Sequence, residues 1–376
     1  MKIETRPEQF KEHSFVGVFL RKLHLDIPLL MALILLLVLS FMMLYSSSGK
    51  DWGLLTRQAN RVGFAMVLMV ILAHINPRQF QRFSIGLYLM GVGFLIAVLV
   101  VGDVGKGAQR WLYIGFRFQP SEMIKLTTPM MVAWYLSGHE LPPRWRHIAV
   151  ATALILLPTI LIVRQPDLGT SLLVASSGMS VLYFSGISWR FLTGVISALS
   201  IFAPVYWQFF MREYQKDRVT TFLNPEADPL GKGYHIIQSK IAIGSGGEYG
   251  KGWQENTQSH LEFLPESSTD FIFAVFAEEF GLIGCLCLLS LYLFIIVRGF
   301  YIAVQAQDTY GRLLAGSLVC TFFVYVFVNI GMVIGILPVV GVPLPLISYG
   351  GTSMVTLFAG FGMLMSIHTH KKILPS

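Results

Sequence analysis

Long apolar segments separated by short polar ones recur along the whole chain of 376 residues. The first runs without a polar residue from Pro28 to Leu39. A helix needs about 17–25 mostly apolar residues to cross the hydrocarbon core of a bilayer, where its backbone groups must bond to one another. Hydrophobic residues make up 54% of the chain and charged residues only 13%, against about 25% charged residues in soluble domains. This balance excludes a water-soluble fold.

The apolar segments predict an all-α, polytopic integral membrane protein with about ten transmembrane helices and one long extracytoplasmic loop. The predicted spans are 27–46, 57–75, 83–101, 121–137, 147–164, 168–184, 190–210, 270–297, 312–336 and 351–368.

The polar ends of the chain predict its orientation. Residues 1–26 are basic and form a cytoplasmic tail, because positively charged segments stay on the cytoplasmic side. No small-residue cleavage site follows the first apolar run, so we expect a retained anchor. An even number of spans returns the tail at 371–376 to the same side and leaves 27–370 as the transmembrane domain.

The loop at about 211–269 lies outside in this topology, and a loop of that length is usually functional. It contains a predicted helix at 233–243 and a glycine-rich run at 244–252. The run lacks the Gly-Lys-Ser/Thr of a phosphate-binding loop, so we expect it to pack closely on lipid or protein. The net charge of +7 comes with no basic-aromatic module for nucleic acid, and contact with anionic lipid explains it more simply.

The stretch Arg117-Phe-Gln-Pro-Ser-Glu-Met-Ile-Lys125 places charges at the start of the fourth span. Pro120 and Ser121 are helix start signals, and Glu122 and Lys125 then share one helical face. Charges at membrane depth usually face a cavity. One reading is a pair that only anchors the helix at the interface. The other is an outward-opening cavity in which Arg117 and Lys125 hold a phosphate.

Two further carboxylates lie at predicted helix starts. Asp167, in Gln165-Pro-Asp-Leu-Gly-Thr-Ser171, precedes an apolar run and can serve as an N-cap. Asp270 follows Thr269 where the eighth span opens, and it can be a cap or a general base. Glu278 and Glu279 lie deeper in that span. Glu278 is about 80° around the helix from Asp270 and Glu279 is opposite it, so we expect both to join packing networks with other helices.

The stretch from Pro338 to Ser353 carries three prolines and a Gly-Gly pair at membrane depth. It cannot form a plain helix. Irregular backbone at this depth is tolerated only where it is buried in protein or lines a cavity.

These motifs together resemble a known family. The stretch from Asn329 through Gly335-Ile-Leu-Pro338 to Ser348-Tyr-Gly-Gly-Thr-Ser353 is similar to the signature of the SEDS proteins (shape, elongation, division and sporulation). The blocks around Lys125, Asp167 and Asp270 resemble the family's other blocks, in the same order and across nearly the whole membrane region. Within the family the chain resembles the elongation member more than the division member.

The resemblance implies a peptidoglycan glycosyltransferase that polymerises lipid II at the outer face of the bacterial cytoplasmic membrane, in cell elongation and rod-shape maintenance. It implies Asp270 as the catalytic carboxylate, which would deprotonate the 4-hydroxyl of the acceptor sugar. Attack by that hydroxyl in a single displacement would convert the donor's α-linkage into a β-1,4 bond. The leaving undecaprenyl diphosphate needs cations. The candidate substrate-binding residues are Lys125, Glu122, Arg117, Gln119, Arg110, Asp167 and Ser348.

The implied partners are lipid II as donor and acceptor, a class B penicillin-binding protein that supplies the transpeptidase, and other membrane proteins of the elongation complex. No metal-ligand cluster or other cofactor site is evident, and a divalent cation that assists the diphosphate stays open. Two alternatives remain. One is a lipid II flippase or other transporter, since broken helices and intramembrane charges suit transport. The other is a non-catalytic scaffold that activates its penicillin-binding partner.

Overall fold

The computed structural model describes residues 24–105, 108–113, 117–209, 211, 213–229, 233–255 and 266–370. Within these ranges the fold is helical, and a helix lies at each of the ten predicted spans. These helices are α1 (Ile27–Ser47), α2 (Trp52–His74), α3 (Pro77–Val101), α4 (Pro120–Ser137), α5 (Trp145–Arg164), α6 (Leu168–Phe184), α7 (Trp189–Phe209), α10 (Ile272–Val304), α11 (Thr309–Val333) and α12 (Thr352–Thr369). The long loop adds α8 (Glu213–Leu223) and α9 (Tyr234–Gly246), so the helix predicted at 233–243 is confirmed. Except for 24–26, the predicted tails at 1–26 and 371–376 lie outside the described residues.

Seven of these helices are long and apolar enough to cross a membrane by length and composition alone. They are α1, α2, α3, α5, α10, α11 and α12. The α6 helix is apolar but has 17 residues, and α4 carries Glu122 and Lys125. The protein is therefore a multi-pass membrane protein, as the apolar pattern predicts.

Two helices begin earlier than predicted because polar residues cap them. Asp51 accepts hydrogen bonds from the backbone N–H groups of Gly53 and Leu54, so α2 begins at Trp52 and not at 57. Asn76 accepts one from Arg78, so α3 begins at Pro77 and not at 83. Each cap satisfies N–H groups that the first helical turn leaves without partners. These helices therefore extend through basic residues at their ends.

A small antiparallel sheet between α3 and α4 was not predicted. Its strands are β1 (Asp103–Gly105), β2 (Ala108–Tyr113) and β3 (Arg117–Phe118), in the order β1-β2-β3. The ring of Phe118 contacts that of Phe94 on α3, with 5.9 Å between centroids. The sheet therefore holds β3 beside the bundle directly before α4 begins.

Helix α11 is the centre of the bundle and packs against α4, α6, α10 and α12. In the most apolar 18-residue stretch of this helix, 67% is buried inside the protein. This is the largest buried share among the seven candidate spans. The exposed side of the helix includes Phe323 and Phe327, and the polar groups on its buried sides must find partners in neighbouring helices. Several of those partners belong to the predicted site.

Helix α10 is broken at Gly281, where φ is 63° and ψ is −161°. The glycine-rich run enters the break. The N–H groups of Lys251 and Gly252 donate to the carbonyls of Glu278 and Glu279, at 3.0 Å each. On the other side, Leu282 and Ile283 donate to the carbonyls of Gly247 and Glu248 at 3.0 and 3.1 Å. The glycine-rich run thus supplies hydrogen bonds that the break removes from the helix. The run was predicted to pack closely on lipid or protein, and the structure shows that it packs on protein.

The two carboxylates beside this break have polar partners. Glu278 is fully buried and lies 2.7 Å from Lys251 Nζ, and Glu279 accepts a hydrogen bond from Ser46 on α1. The predicted packing network with another helix is confirmed for Glu279, whereas the partner of Glu278 belongs to the glycine-rich run.

Candidate active site

The signature segment, residues 334–351 between α11 and α12, is an irregular stretch that side chains of other elements hold in place. Ser40 donates to the carbonyl of Ile347 at 2.9 Å, and the Tyr292 hydroxyl donates to the carbonyl of Pro345 at 2.7 Å. The Arg61 guanidinium lies 4.7 Å above the ring of Tyr349. The first two contacts satisfy backbone groups that helix breaking leaves free. Residues 342–348 are buried except for Pro343, which is partly buried, as predicted for irregular backbone at this depth, whereas residues 334–341 are partly buried or exposed.

Asp270 lies beside this segment and is half-buried. Asn329 on α11 donates to the carbonyls of Asp270 and Val342, at 2.9 and 2.7 Å. A β-carbon placed on Gly341 would lie 3.6 Å from Asp270 Oδ2, and φ of Gly341 is 75°. Only glycine adopts that backbone readily. Asn329 and Gly341 therefore place the Asp270 carboxylate against the signature segment.

Asp270 is not the N-cap residue of α10, so the capping alternative does not hold for it. The helix begins at Ile272, and the N-cap residue is Phe271, whose side chain makes no capping bond. The general-base alternative for Asp270 stays a prediction.

Ser348 supports the same region from the signature segment. Its hydroxyl donates to the carbonyl of Thr269 at 2.6 Å and accepts from the N–H of Leu344 at 2.8 Å. Next to it, the N–H of Tyr349 donates to the carbonyl of Ser268. Because the Ser348 hydroxyl bonds to backbone on both sides, the geometry favours a positioning role for it. Its predicted contact with substrate remains a prediction.

Lys125 and Glu122 form a buried ion pair, with 4% and 6% of each residue exposed and 2.7 Å between Nζ and Oε1. The helix begins at Pro120, as predicted, so the two side chains meet one turn apart on α4. Lys125 Nζ also donates to the hydroxyl of Tyr325 on α11. The predicted alignment of Lys125 by Glu122 is thus present in the geometry, and Tyr325 is a second partner that its apolar sequence context did not single out.

Lys125 lines an apolar recess between α4, α10, α11 and α12. Tyr325 lines both this recess and a second, smaller one beneath the signature segment. Lys125 and Ser348 line different recesses, and Asp270 lines neither. The larger recess is therefore apolar space beside the site.

Asp167 caps α6 and also pairs with a cation. It accepts a hydrogen bond from the N–H of Thr170 at 3.3 Å, so the predicted N-cap is confirmed. Its Oδ2 lies 3.3 Å from Arg110 Nε on β2, and Arg110 donates to the carbonyl of Pro166 at 3.1 Å. A β-carbon on Gly169 would lie 2.7 Å from the carbonyl oxygen of Val340. This glycine lets the Asp167 block approach the signature segment.

Two further predicted substrate-binding residues, Arg117 and Gln119, lie between Arg110 and Glu122 in the chain. Arg117 is in β3, and its side chain is outside the described part of the structure. Gln119 is the N-cap residue of α4, is half-buried and makes no capping bond. Among the described residues no group of three or more His, Cys, Asp or Glu is arranged to hold a metal ion.

Comparison with known proteins identifies the family. Residues 21–373 match the model of the cell cycle proteins FtsW, RodA and SpoVE. The chain belongs to this family. It is also 54% identical to the peptidoglycan glycosyltransferase MrdB of Escherichia coli K12, over 95% of this chain and 96% of that protein. The resemblance to the SEDS proteins seen in the motifs is therefore confirmed.

Solved structures of family members share the fold. One chain, from a peptidoglycan synthase complex described as coordinating polymerization and crosslinking, is 32% identical, with a TM-score of 0.80 and coverage of 92% of this chain and 99% of that chain. The rod shape determining protein RodA of Thermus thermophilus is 28% identical, with a TM-score of 0.70 and coverage of 92% and 98%.

Proposed function

We propose that this protein polymerises lipid II into β-1,4-linked glycan strands at the outer face of the bacterial cytoplasmic membrane, in cell elongation and rod-shape maintenance. It is a peptidoglycan glycosyltransferase, as its 54% identity to MrdB over nearly the whole chain indicates. The proposal concerns the substrate, the bond formed, the residues that act and the orientation in the membrane.

The observation that carries the proposed mechanism is the arrangement of Lys125 and Asp270 along α11. Tyr325 and Asn329 are four residues apart, which is about one helical turn or about 6 Å along the axis. The first receives a hydrogen bond from Lys125, and the second donates one to the carbonyl of Asp270. One face of α11 therefore places a buried cation and a half-buried carboxylate on successive turns.

This arrangement suits glycosyl transfer by single displacement. Asp270 removes the proton of the acceptor 4-hydroxyl as its oxygen forms a bond to the donor's anomeric carbon. The bond from that carbon to the diphosphate breaks, and undecaprenyl diphosphate leaves with the electron pair. Lys125 stabilises the negative charge on the leaving group, while Glu122 and Tyr325 keep its ammonium in place. Attack opposite the leaving group converts an α-linkage into a β-linkage.

Arg110, Arg117 and Gln119 are proposed as further ligands of the diphosphate and its sugar, held near α4 by the small sheet. Asp167 orients Arg110 across 3.3 Å. The diphosphate already activates the donor, so no nucleotide sugar is needed. Addition of a chelator to the polymerisation reaction tests whether a divalent cation assists.

The orientation follows from charge. With the basic tails in the cytoplasm, the α9 loop and the Lys125 and Asp270 groups face outward. The similarity to a chain of a peptidoglycan synthase complex supports a penicillin-binding partner that crosslinks the strands. Site-directed labelling of introduced cysteines in the two tails, with a reagent that does not cross the membrane, tests the topology.

The decisive experiment is purified protein with lipid II as the sole substrate, with and without a class B penicillin-binding protein. Formation of glycan strands by the wild type and its loss in Asp270→Ala, with folding and partner binding retained, supports the proposal. A flippase would move lipid II across vesicles without forming strands. If the protein were only a scaffold, the Asp270→Asn variant would support cell shape and glycan synthesis as well as the wild type.

A further inference from the structure

Arg61 is a charged residue inside the candidate membrane span α2. The helix begins at Trp52, so Arg61 lies nine residues, or about 13 Å along the axis, from its start. Its side chain is half-buried. A charge at such a depth is costly unless other groups compensate it, so an arginine there is a candidate for a functional role.

The level of Arg61 coincides with the start of α12. The two helices run in the same direction and pack along much of their length. At their far ends, the Ser366 hydroxyl donates to the carbonyl of Ile75. Fourteen residues separate Ser366 from Thr352, the first residue of α12, and fourteen separate Ile75 from Arg61, about 21 Å of helix in each case. Arg61 therefore lies where the signature segment turns into α12.

The Arg61 guanidinium touches the signature segment at two places around this turn. Its Cζ atom is 4.7 Å from the ring centre of Tyr349. A β-carbon on Gly351 would lie 3.6 Å from Cζ and 3.7 Å from Nε, so the guanidinium also passes close to the backbone of Gly351. A cation over the face of an aromatic ring is attracted to it, more strongly where water is partly excluded. Arg61 thus fastens this end of the signature segment to α2.

Tyr349 connects the turn to the residues that precede Asp270. Its N–H donates to the carbonyl of Ser268 at 2.8 Å. The hydroxyl of its neighbour Ser348 donates to the carbonyl of Thr269 at 2.6 Å. Asp270 follows directly in the chain, so a shift of Tyr349 would move the two residues before the proposed base.

We propose that Arg61 is a positioning residue for glycosyl transfer, which holds Tyr349 and thereby the 268–270 segment that carries the Asp270 carboxylate. This inference rests on the proposed function. Asn329 holds the carbonyl of Asp270 from α11, while Arg61 holds the preceding residues from α2. A general base contributes fully only when its oxygen is aligned with the reacting proton. Loss of the contact therefore lowers kcat and leaves KM nearly unchanged.

Arg61→Met tests this, because methionine keeps an unbranched apolar stem and removes the charge. With purified full-length protein and lipid II, we expect kcat to fall about tenfold, as for one lost cation–π contact at a partly desolvated site, with an unchanged KM. Arg61→Lys should keep more of the wild-type kcat, because its ammonium can still meet the ring. The matched control is Arg82→Met, which removes an exposed arginine of α3 and should leave kcat unchanged.

Variants of Tyr349 show whether the effect of Arg61 passes through the ring. Tyr349→Phe keeps the ring face and should have nearly the wild-type kcat, whereas Tyr349→Leu should lose about as much as Arg61→Met. The double variant Arg61→Met/Tyr349→Leu should be no slower than either single variant, because the contact is already absent. Losses that multiply in the double variant would show that the two residues act independently and would overturn the proposal.

Two other results would also overturn it. A KM that rises in Arg61→Met while kcat is unchanged would make Arg61 a substrate ligand. Equal kcat values for Arg61→Met and Arg82→Met would leave Arg61 without a part in the reaction, and the proposed function would still stand. Absence of strands with the wild type would instead contradict the proposed function itself.

If Arg61→Met lowers the apparent Tm, Tyr349→Phe and Tyr349→Leu decide the question, because both keep the arginine. Equal kcat values in these two folded variants would overturn the proposal.

Discussion

Asn329 connects Asp270 to the signature segment, because its side-chain amide donates to the carbonyls of Asp270 and Val342 at 2.9 and 2.7 Å. Asn329 is fully buried in α11, the helix that also provides Tyr325 for Lys125. The position of the proposed base therefore depends on an amide in the centre of the bundle.

Replacement of Asn329 should lower both activity and stability. Asn329→Leu keeps the volume and leaves the buried carbonyl of Val342 and the partly buried carbonyl of Asp270 without this donor. A buried group without its partner costs about 1–3 kcal/mol. We expect a lower apparent Tm and a loss of polymerisation larger than the loss of folded protein explains. Thermal unfolding and initial rates measure the two effects. Asn224→Leu, on the exposed loop, is the control; equal rates in the two variants would show that Asn329 does not position the base.

The Lys125–Glu122 pair allows stability and catalysis to be separated. Lys125→Met leaves Glu122 buried without its cation, which typically costs about 3–5 kcal/mol. The double variant Lys125→Met/Glu122→Gln removes both charges, so it should recover most of the stability and none of the activity. Thermal unfolding and the polymerisation rate are measured for both variants.

The control for Lys125 is a lysine of an exposed turn. Lys125→Ala should lower the polymerisation rate more than Lys50→Ala, because Lys50 is exposed between α1 and α2. Equal polymerisation rates of these two variants would show that Lys125 does not belong to the active site.

Arg110→Ala should weaken lipid II binding. The arginine contacts the carbonyl of Pro166 and the carboxylate of Asp167, and its side chain is 30% exposed. Loss of one charge-assisted contact to the diphosphate would cost about 1.5 kcal/mol, or about tenfold in KM. Arg57→Ala removes an exposed arginine paired with Asp51 at 3.8 Å, and such pairs contribute about 0–1 kcal/mol. A KM for Arg110→Ala that equals that of Arg57→Ala contradicts its role as a ligand.

Lys251→Met should destabilise the protein without a direct effect on substrate. Glu278 is fully buried, and its pair with Lys251 lies where the glycine-rich run enters the break in α10. Removing the cation leaves a buried charge, at a cost of about 3 kcal/mol or more. The apparent Tm should fall and should recover when Glu278→Gln is added. An unchanged Tm in Lys251→Met would show that the pair does not hold the run in place.

Much of the fold follows from the apolar pattern, whereas the contacts within it do not. The ten helices are where the pattern places them, and the caps at Asp51 and Asn76 account for the largest shifts at their starts. The small sheet has strands of 3, 6 and 2 residues, too short for an alternating pattern to be recognised. The break at Gly281 depends on a run about thirty residues earlier in the chain, which the local sequence of α10 does not indicate.

The candidate site was predictable where a charge lies at membrane depth. Lys125, Glu122, Asp167 and Asp270 could be singled out because charges are costly there. Tyr325 could not, because a tyrosine in a long apolar helix carries no signal of its own.

The central claim is that Asp270 is the general base of lipid II polymerisation. Its most direct test is the rate of glycan-strand formation by purified protein with lipid II, compared between the wild type and Asp270→Asn. Loss of a general base lowers rates by about 100- to 10,000-fold, and we expect a loss in that range with the apparent Tm and binding to the penicillin-binding partner unchanged. Polymerisation by folded Asp270→Asn at the wild-type rate would contradict the claim.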